Sequence, residues 1–245
     1  MVLVTGGSRG IGAATARLAS QRGWSVCINY RDRNDAAGKL VDEIKTSGGM
    51  AIAVQADISK EEEVVSLFNT IDDDFGMLHA LVNNAGIIAP QSQLVDINAD
   101  RLRKIFDINI VGSFLCAREA IKRMSTSRGG SGGSIINLSS AASRIGSPHE
   151  FIDYAASKGA IDTMTIGLSK EVAEEGVRVN AVRPGLIETE MHRDAGDIDR
   201  PQKLKEGIPL KRAGSALEVA NTVVWLMSDD ASYITGALVD VAGGR

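Results

Sequence analysis

The chain has 245 residues, of which 44% are hydrophobic and 24% are charged, and its formal net charge is -4. These values are ordinary for a soluble globular protein, and the length is sufficient for a substantial core. The balance of 27 basic and 31 acidic residues argues against a broad basic surface for nucleic acid or acidic membranes.

Neither a secretory signal nor a membrane span is predicted. Residues 1–4 run directly into a glycine-rich turn, without a basic region or a long apolar stretch. No run of about 18 apolar residues occurs anywhere in the chain. The two cysteines, Cys27 and Cys116, lie in apolar segments and are too few for a disulfide framework. We therefore expect buried thiols and a cytoplasmic protein.

Short β-branched runs alternate with amphipathic helical patterns along the whole chain. The predicted strands are residues 2–4, 25–29, 51–55, 80–82, 134–138, 178–182 and 237–241. The predicted helices are residues 10–22, 34–47, 60–75, 98–124, 154–175 and 216–228. This alternation predicts crossover connections, and the apolar strands predict a sheet covered on both faces. We expect one α/β domain over residues 1–245, a Rossmann-type doubly wound sheet of about seven parallel strands with helices on both faces.

Residues 186–212 depart from that alternation. They contain Pro201, Pro209 and several charges, with only weak helical patterning. Because long loops in compact domains are often functional, this segment is predicted to be a loop or lid over the substrate.

A glycine-rich loop, Thr5-Gly6-Gly7-Ser8-Arg9-Gly10-Ile11-Gly12, joins the first predicted strand to the first helix. Glycine permits a sharp turn and close approach of the backbone to a pyrophosphate, and the helix N-terminus offers free N–H groups. No Gly-Lys-Ser/Thr follows, which argues against a nucleoside-triphosphate loop. A turn without a ligand is the alternative. The predicted dinucleotide contacts here are Gly6, Ser8, Arg9, Gly10, Ile11 and Gly12.

The end of the second strand indicates which dinucleotide binds. Tyr30 stands where an acid would hydrogen-bond the ribose 2′-hydroxyl of NAD, and Arg31 follows it. Arg31 and Arg9 together suit a phosphate dianion, so NADP(H) is favoured over NAD(H). Two alternatives stay open. In the first, Asp32 turns toward the ribose or pairs with Arg31. In the second, Arg31 and Arg33 form only a solvated charge cluster.

Tyr154 and Lys158 are spaced to share one face of a predicted helix. A phenol ordinarily titrates near 10, and a neighbouring ammonium favours the phenolate. The pair therefore suits proton exchange with an alcohol or a carbonyl. The spacing alone is weak, but here it follows a nucleotide loop and the apolar strand that leads into Ser139-Ser140.

Over essentially its whole length the sequence resembles the short-chain dehydrogenase/reductase family. It is similar there to 3-oxoacyl-thioester reductases and glucose dehydrogenase-like sugar reductases. The motifs that carry the resemblance are Thr5–Gly12, Asn83-Asn84-Ala85-Gly86, Asn109, Ser139-Ser140, Tyr154-x-x-x-Lys158, Pro184-Gly185, Tyr233-Ile234-Thr235-Gly236 and Gly243-Gly244.

The resemblance implies catalytic roles for Asn109, Ser140, Tyr154 and Lys158. Tyr154 is the general acid in reduction, Lys158 lowers its pKa and binds the nicotinamide ribose, and Asn109 holds a water in a proton relay. Ser140 is chosen over Ser139 to steady the substrate oxygen, since alternate residues at a strand end face opposite sides. Ser139 is then a backbone-bonded turn residue. For Asn109 the alternative is a local helix bend or a backbone hydrogen bond.

The resemblance also implies further cofactor contacts. Asp57 and Ile58 follow the third strand at the expected adenine position, although Asp57 could instead cap a helix. Tyr154 and Lys158 are expected to touch the cofactor as well. The remaining implied contacts are Asn83, Asn84, Ala85, Gly86, Pro184, Gly185, Ile187 and Thr189.

These motifs together indicate an NADP(H)-dependent oxidoreductase that interconverts a carbonyl and a secondary alcohol, with reduction as the expected direction. Its substrate is a small molecule such as a ketone, sugar or 3-oxoacyl compound. The three histidines are isolated, so no metal site is expected. Resemblance implies a homo-oligomer, a dimer or tetramer, with no nucleic-acid or membrane partner. A redox sensor without turnover and a nucleotide-sugar epimerase or dehydratase are the alternatives.

Overall fold

The computed structural model describes all residues, 1–245. Seven strands form one parallel sheet in the order β3-β2-β1-β4-β5-β6-β9, and β7 pairs with β8 in a separate parallel ribbon. The order reverses between β1 and β4, which is the point where open α/β sheets bind ligands. The predicted doubly wound sheet is confirmed. The strands are β1 Val2–Val4, β2 Val26–Tyr30, β3 Ala51–Gln55, β4 Ala80–Asn83, β5 Gly133–Leu138, β6 Val177–Pro184, β7 Ile187–Glu188, β8 Gly214–Ser215 and β9 Leu238–Val241.

Helices cover both faces of the sheet. Helices α1, α2 and α10 contribute to one apolar cluster, and α3, α5 and α7 contribute to the cluster on the opposite face. The helices are α1 Gly10–Gln21, α2 Asn34–Thr46, α3 Glu61–Phe75, α4 Ala99–Phe106, α5 Gly112–Met124, α6 Ala142–Ile145, α7 Ile152–Glu171, α8 Met191–Asp194, α9 Arg200–Leu204 and α10 Ala216–Met227. No helix has the length and apolar character needed to cross a membrane.

The alternation of side chains along β1 divides the core. Val2 and Val4 pack in the cluster of α1, α2 and α10, whereas Leu3 packs in the cluster of α3 and α5. Both cysteines are buried and free, as the sequence predicts. Burial raises the pKa of the Cys27 and Cys116 thiols to about 12, so both stay protonated near neutral pH.

The long helix predicted over residues 98–124 is interrupted. A π-helical turn, Asp107–Val111, separates α4 from α5 and carries Asn109. Such bulges are frequent at functional sites. The apolar periodicity continues through this turn, which is why the sequence pattern did not reveal it.

Residues 186–212 are more ordered than a plain loop. They hold β7, α8 and α9, and Pro201 lies in the first turn of α9, where proline needs no N–H partner. Leu186, Met191, His192, Ala195 and Arg200 from this segment line the main cleft. The segment therefore forms one wall of that cleft.

Candidate active site

The main cleft lies at the carboxyl ends of the central strands. It brings together residues that are far apart in sequence, including the start of α1, the ends of β5 and β6, and the first turn of α7. The sequence-predicted residues that line it are Ile11, Asn84, Gly86, Ser140, Tyr154, Lys158, Pro184, Gly185, Ile187 and Thr189.

Tyr154 and Ser140 face each other inside this cleft. The Tyr154 hydroxyl is hydrogen-bonded to the Ser140 hydroxyl, which in turn accepts from the Ala142 backbone N–H at 3.1 Å. Ser139 points elsewhere, because its hydroxyl donates to the Lys158 carbonyl at 3.1 Å. The two serines thus divide as the strand alternation predicts.

The pKa of Tyr154 moves in the opposite direction to the sequence expectation. Burial raises the pKa of the phenol above its ordinary value, and the hydrogen bond with Ser140 offsets only part of that rise. Lys158 was expected to lower this pKa, but its ammonium lies 5.7 Å from the centre of the Tyr154 ring and donates to the Leu138 carbonyl at 2.7 Å. In this arrangement Tyr154 is a protonated acid at neutral pH.

Lys158 is a buried charge with an acidic neighbour one helical turn away. Burial lowers the pKa of its ammonium to about 8, and the charge of Asp162 acts against that shift. Arg183 holds Asp162 by two hydrogen bonds, at 3.1 and 2.8 Å. The sequence analysis missed Asp162, although its position four residues after Lys158 places it on the same helix face.

Asn109 is fully buried, and its side chain makes three hydrogen bonds within the protein. Its Oδ1 accepts from the Ile87 N–H at 2.8 Å, and its Nδ2 donates to the Ile87 carbonyl and the Ser157 hydroxyl, both at 3.0 Å. Both amide hydrogens are therefore used, and Oδ1 keeps one further acceptor site. Asn109 thus makes backbone hydrogen bonds, which was the alternative to its role in a proton relay. Its side chain lies beside Lys158 and Gly86.

The glycine loop forms a cradle that side chains would fill. Gly6 and Gly10 have φ angles of 58° and 54°, which favour glycine. A side chain at Gly12 would begin 2.5 Å from Asn84 Nδ2, which donates to the carbonyls of Thr5 and Gly6. The loop is thus held with its backbone close to the β4 end, as a pyrophosphate site requires.

Charged groups surround the outer end of this cradle. Arg9 pairs with Asp194 and lies 3.6 Å from Glu190, and its buried Nη1 has no hydrogen-bond partner. Arg31 pairs with Asp32 at 2.7 Å on the surface, which is one of the alternatives left open by the sequence. An orphaned guanidinium nitrogen beside a glycine cradle fits the phosphates of a dinucleotide.

Four predicted cofactor residues do not direct their side chains into the cleft. The Tyr30 hydroxyl donates to Asn34 at 2.7 Å, and the Asp57 carboxylate accepts from Ser59. The predicted cofactor contacts of Ile58 and Asn83 fall to their backbones and stay predictions. Ile58 packs in the core, and Asn83 bonds to Ser113 and Asn137, so only their backbones remain available.

Arg200 is a site residue that sequence reasoning missed. Its guanidinium lies over the Phe151 ring, 5.1 Å from the ring centre, and pairs with both oxygens of Glu150. The bidentate pair joins α9 to the segment that leads into Tyr154. Nothing in the sequence pattern links positions 150 and 200, because the contact depends on the path of residues 186–212.

His192 lies on the same wall of the cleft. Its Nε2 donates to the Ile187 carbonyl at 2.9 Å, and burial lowers the pKa of the imidazole. No group of three or more His, Cys, Asp and Glu side chains is placed to hold a metal ion.

Comparison with known proteins defines the class. Residues 6–245 match the family model described as Enoyl-(Acyl carrier protein) reductase. The chain is 30% identical to a dehydrogenase/reductase from Sinorhizobium meliloti 1021 of known crystal structure, with a TM-score of 0.91 over 99% of this chain and 93% of that one. The chain belongs to the short-chain dehydrogenase/reductase family. It is an oxidoreductase of the kind that acts on CH–OH groups, and the family uses a nicotinamide dinucleotide.

Particular relatives cover the chain almost end to end. It is 54% identical to "Uncharacterized oxidoreductase YgfF" of Escherichia coli (strain K12), over 100% of this chain and 99% of that protein. It is 37% identical to "Glucose 1-dehydrogenase 2" of Bacillus subtilis (strain 168), over 99% of this chain and 93% of that protein. It is 38% identical to "3-oxoacyl-[acyl-carrier-protein] reductase FabG" of Staphylococcus epidermidis, over 99% and 97%.

Proposed function

We propose that this protein is an NADPH-dependent reductase that converts a small-molecule carbonyl compound into a secondary alcohol. The observation that carries the proposal is the hydrogen-bonded pair Ser140–Tyr154, buried beside Lys158 in the cleft that the glycine loop borders. A protonated phenol in that place can donate a proton to the oxygen of a carbonyl group that is being reduced.

The residues of the chain divide the chemistry among them. The reduced nicotinamide, when bound, would supply a hydride to the carbonyl carbon. Tyr154 gives its phenolic proton to the oxygen on which charge develops, and the Ser140 hydroxyl stabilises that oxygen by a hydrogen bond. Lys158, at the next turn of α7, lines the same cleft and would bind the hydroxyls of the nicotinamide ribose, the second role that the resemblance implies for it.

The cofactor would be held along the carboxyl edge of the sheet. The backbone around Gly6, Gly10 and Gly12 would bind the pyrophosphate. Ser8 and Ile11 belong to the same loop in the sequence, and Ala85 packs against Gly6. Pro184, Gly185, Ile187 and Thr189 line the same cleft as Tyr154 and would bind the nicotinamide end. Arg9 and Arg31 would bind the 2′-phosphate, which favours NADP(H) over NAD(H).

Arg31→Asp is expected to shift the preference toward NADH. The new carboxylate would repel the 2′-phosphate and accept a hydrogen bond from a 2′-hydroxyl. The ratio of kcat/KM for NADPH and NADH measures the shift, and Arg17→Asp, at an exposed site paired with Glu43, is the matched control. An unchanged ratio would mean that Arg31 does not hold the phosphate and that Arg9 is the residue to test next.

The substrate wall of the cleft mixes apolar and charged groups. Ile145, Phe151 and Met191 supply apolar surface, while His192 and Arg200 supply polar atoms. This mixture accepts a substrate with both a carbon skeleton and polar substituents. The names of the relatives place glucose-like sugars and 3-oxoacyl thioesters first among the compounds to try.

Oxidation of NADPH and NADH in the presence of a panel of carbonyl compounds tests the reductase proposal. The panel holds sugars, acyl thioesters, diketones and steroids, and the loss of reduced-nicotinamide absorbance is followed for each. NADPH-dependent turnover of one class supports the proposal and identifies the substrate class. No loss of absorbance with any compound of the panel, from a protein that binds NADPH tightly, would contradict the reductase proposal.

We also propose a cytoplasmic homo-oligomer, a dimer or tetramer, built on α5 and α7. Phe114 on α5 and Ile166 on α7 are 49% and 41% exposed, and Val111, one turn before Phe114, is 43% exposed. Large exposed apolar side chains grouped on two helices are typical of interface cores. The buried, protonated thiols of Cys27 and Cys116 suit a reducing compartment.

Phe114→Asp is expected to dissociate the oligomer, because it places a charge in the centre of the apolar surface. Sedimentation velocity measures the change as a fall in mass. Met50→Asp is the control, since Met50 is 60% exposed but lies before β3 at the far edge of the sheet. A wild-type protein that sediments as a monomer, or a variant with unchanged mass, would contradict the assignment.

A further inference from the structure

Two arginines converge on a single carboxylate oxygen at the outer end of the glycine loop. Nη1 of Arg9 and Nη1 of Arg33 each lie 3.6 Å from Oε2 of Glu190. Arg9 also donates through Nη2 to Asp194. Two guanidinium groups around one oxygen form an anion-binding arrangement, and its occupant is a side chain of the protein itself.

These four residues come from three separate parts of the fold. Arg9 immediately precedes α1, Arg33 follows β2, and Glu190 and Asp194 belong to the start and end of α8. Because the first two parts border the predicted adenosine site, the acids reach into it from the wall of the substrate cleft. The contact is long-range and does not arise from neighbouring positions in the chain.

Arg9 retains unused binding capacity in this arrangement. Its Nη1 is buried and makes no hydrogen bond, because Glu190 lies beyond hydrogen-bond distance. A guanidinium has five N–H donors, and a phosphate with three acceptor oxygens can satisfy more of them than one distant carboxylate. The Arg9 guanidinium is thus directed toward the Glu190 carboxylate, but its Nη1 has no hydrogen-bond partner.

We propose that Glu190 and Asp194 are specificity-determining residues that compete with the 2′-phosphate of the cofactor for Arg9, while Glu190 also holds Arg33 beside it. The proposal rests on the proposed use of NADP(H). A phosphate dianion must either displace the two carboxylates or bind beside them, and both routes weaken its binding. A ribose with a free 2′-hydroxyl meets neither penalty, so the acids reduce the preference for NADPH without affecting NADH.

Equilibrium binding of NADPH and NADH to Glu190→Gln, Asp194→Asn and the double variant tests this proposal. Exposed ion pairs of this kind are weak, so each single change is expected to tighten NADPH binding about two- to fivefold. NADH binding is expected to stay unchanged. Cofactor fluorescence on the free protein gives both dissociation constants without any turnover.

Asp197→Asn is the matched control, because Asp197 lies in the same segment but pairs with Lys203. It removes the same charge and is expected to leave both dissociation constants unchanged. An equal gain in NADPH affinity in this variant would mean that only the net charge of the segment matters. That result would overturn the proposed competition of Glu190 and Asp194 with the phosphate for Arg9.

Arg9→Ala separates failure of this inference from failure of the proposed function. If Arg9→Ala weakens NADPH binding while the acid variants leave it unchanged or weaken it, the competition is refuted and the use of NADPH stands. If NADPH binds no better than NADH and Arg9→Ala changes neither, the 2′-phosphate does not bind here, and both proposals fail.

Discussion

Tyr154→Phe is expected to lower kcat by about 10²–10⁴-fold, the usual contribution of a positioned general acid. The change removes the hydroxyl that bonds to Ser140 and keeps the ring that packs near Lys158. Because the cradle for the cofactor is untouched, NADPH affinity is expected to remain largely intact. Steady-state turnover and fluorescence titration of NADPH measure the two quantities separately.

Tyr233→Phe is the control for this substitution, since Tyr233 is fully exposed and distant from the cleft. It removes the same hydroxyl from the surface and is expected to keep full activity. Retention of turnover by Tyr154→Phe would remove Tyr154 from the acid role and leave Ser140 as the next candidate.

Lys158→Met is expected to abolish most turnover while making the fold more stable near neutral pH. The pKa of the buried ammonium falls from 10.5 to about 8, which corresponds to a folding penalty of about 3 kcal/mol for the charged form. The variant also leaves the Leu138 carbonyl without its donor, which costs about 1–2 kcal/mol. We therefore expect the free energy of unfolding of the variant to exceed that of the wild type by about 1–2 kcal/mol.

The stability gain of Lys158→Met depends on pH in a defined direction. Between about pH 8 and 10.5 the unfolded lysine still binds a proton that the folded one has released, so wild-type stability rises with pH. The advantage of the variant should shrink over that window. Urea unfolding of both proteins near pH 7 and near pH 10 measures it, with Lys170→Met, at an exposed site on the same helix, as control. Equal stability of the two proteins near pH 7 would show that the penalty of the buried charge is no larger than the loss of about 1–2 kcal/mol at the Leu138 carbonyl, and would contradict the expected gain.

Local patterns in the sequence were sufficient to predict the sheet and the helices around it. The alternation of apolar strands with amphipathic helices predicted seven strands whose ends all agree with the structure to within two residues. The spacing of Tyr154 and Lys158 on one helix face and the glycine loop after β1 could also be predicted. These features depend on neighbours along the chain.

What the sequence did not reveal depends on contacts between distant segments. The spacing of Tyr154 and Lys158 predicts a lowered phenol pKa, whereas the burial that raises it depends on the folded cleft around both residues. The bonds of Asn109 to Ile87 could not be predicted, since they need the path of the chain after β4. The pairing of Arg9 with Asp194 likewise spans 185 positions.

One short stretch carries groups that face two different pockets of the enzyme. Glu190 and Asp194 reach the arginines beside the glycine loop, whereas Met191 and His192, between them in the chain, line the substrate cleft. If the proposed competition holds, displacement of α8 by a cofactor phosphate changes the wall that the substrate meets. Thermodynamic linkage then requires that substrate binding change the affinity for the cofactor phosphate by the same factor. A substrate that draws α8 inward therefore alters the discrimination between the two dinucleotides. Cofactor preference in such an enzyme is a property of the ternary complex, and it differs from one substrate to another.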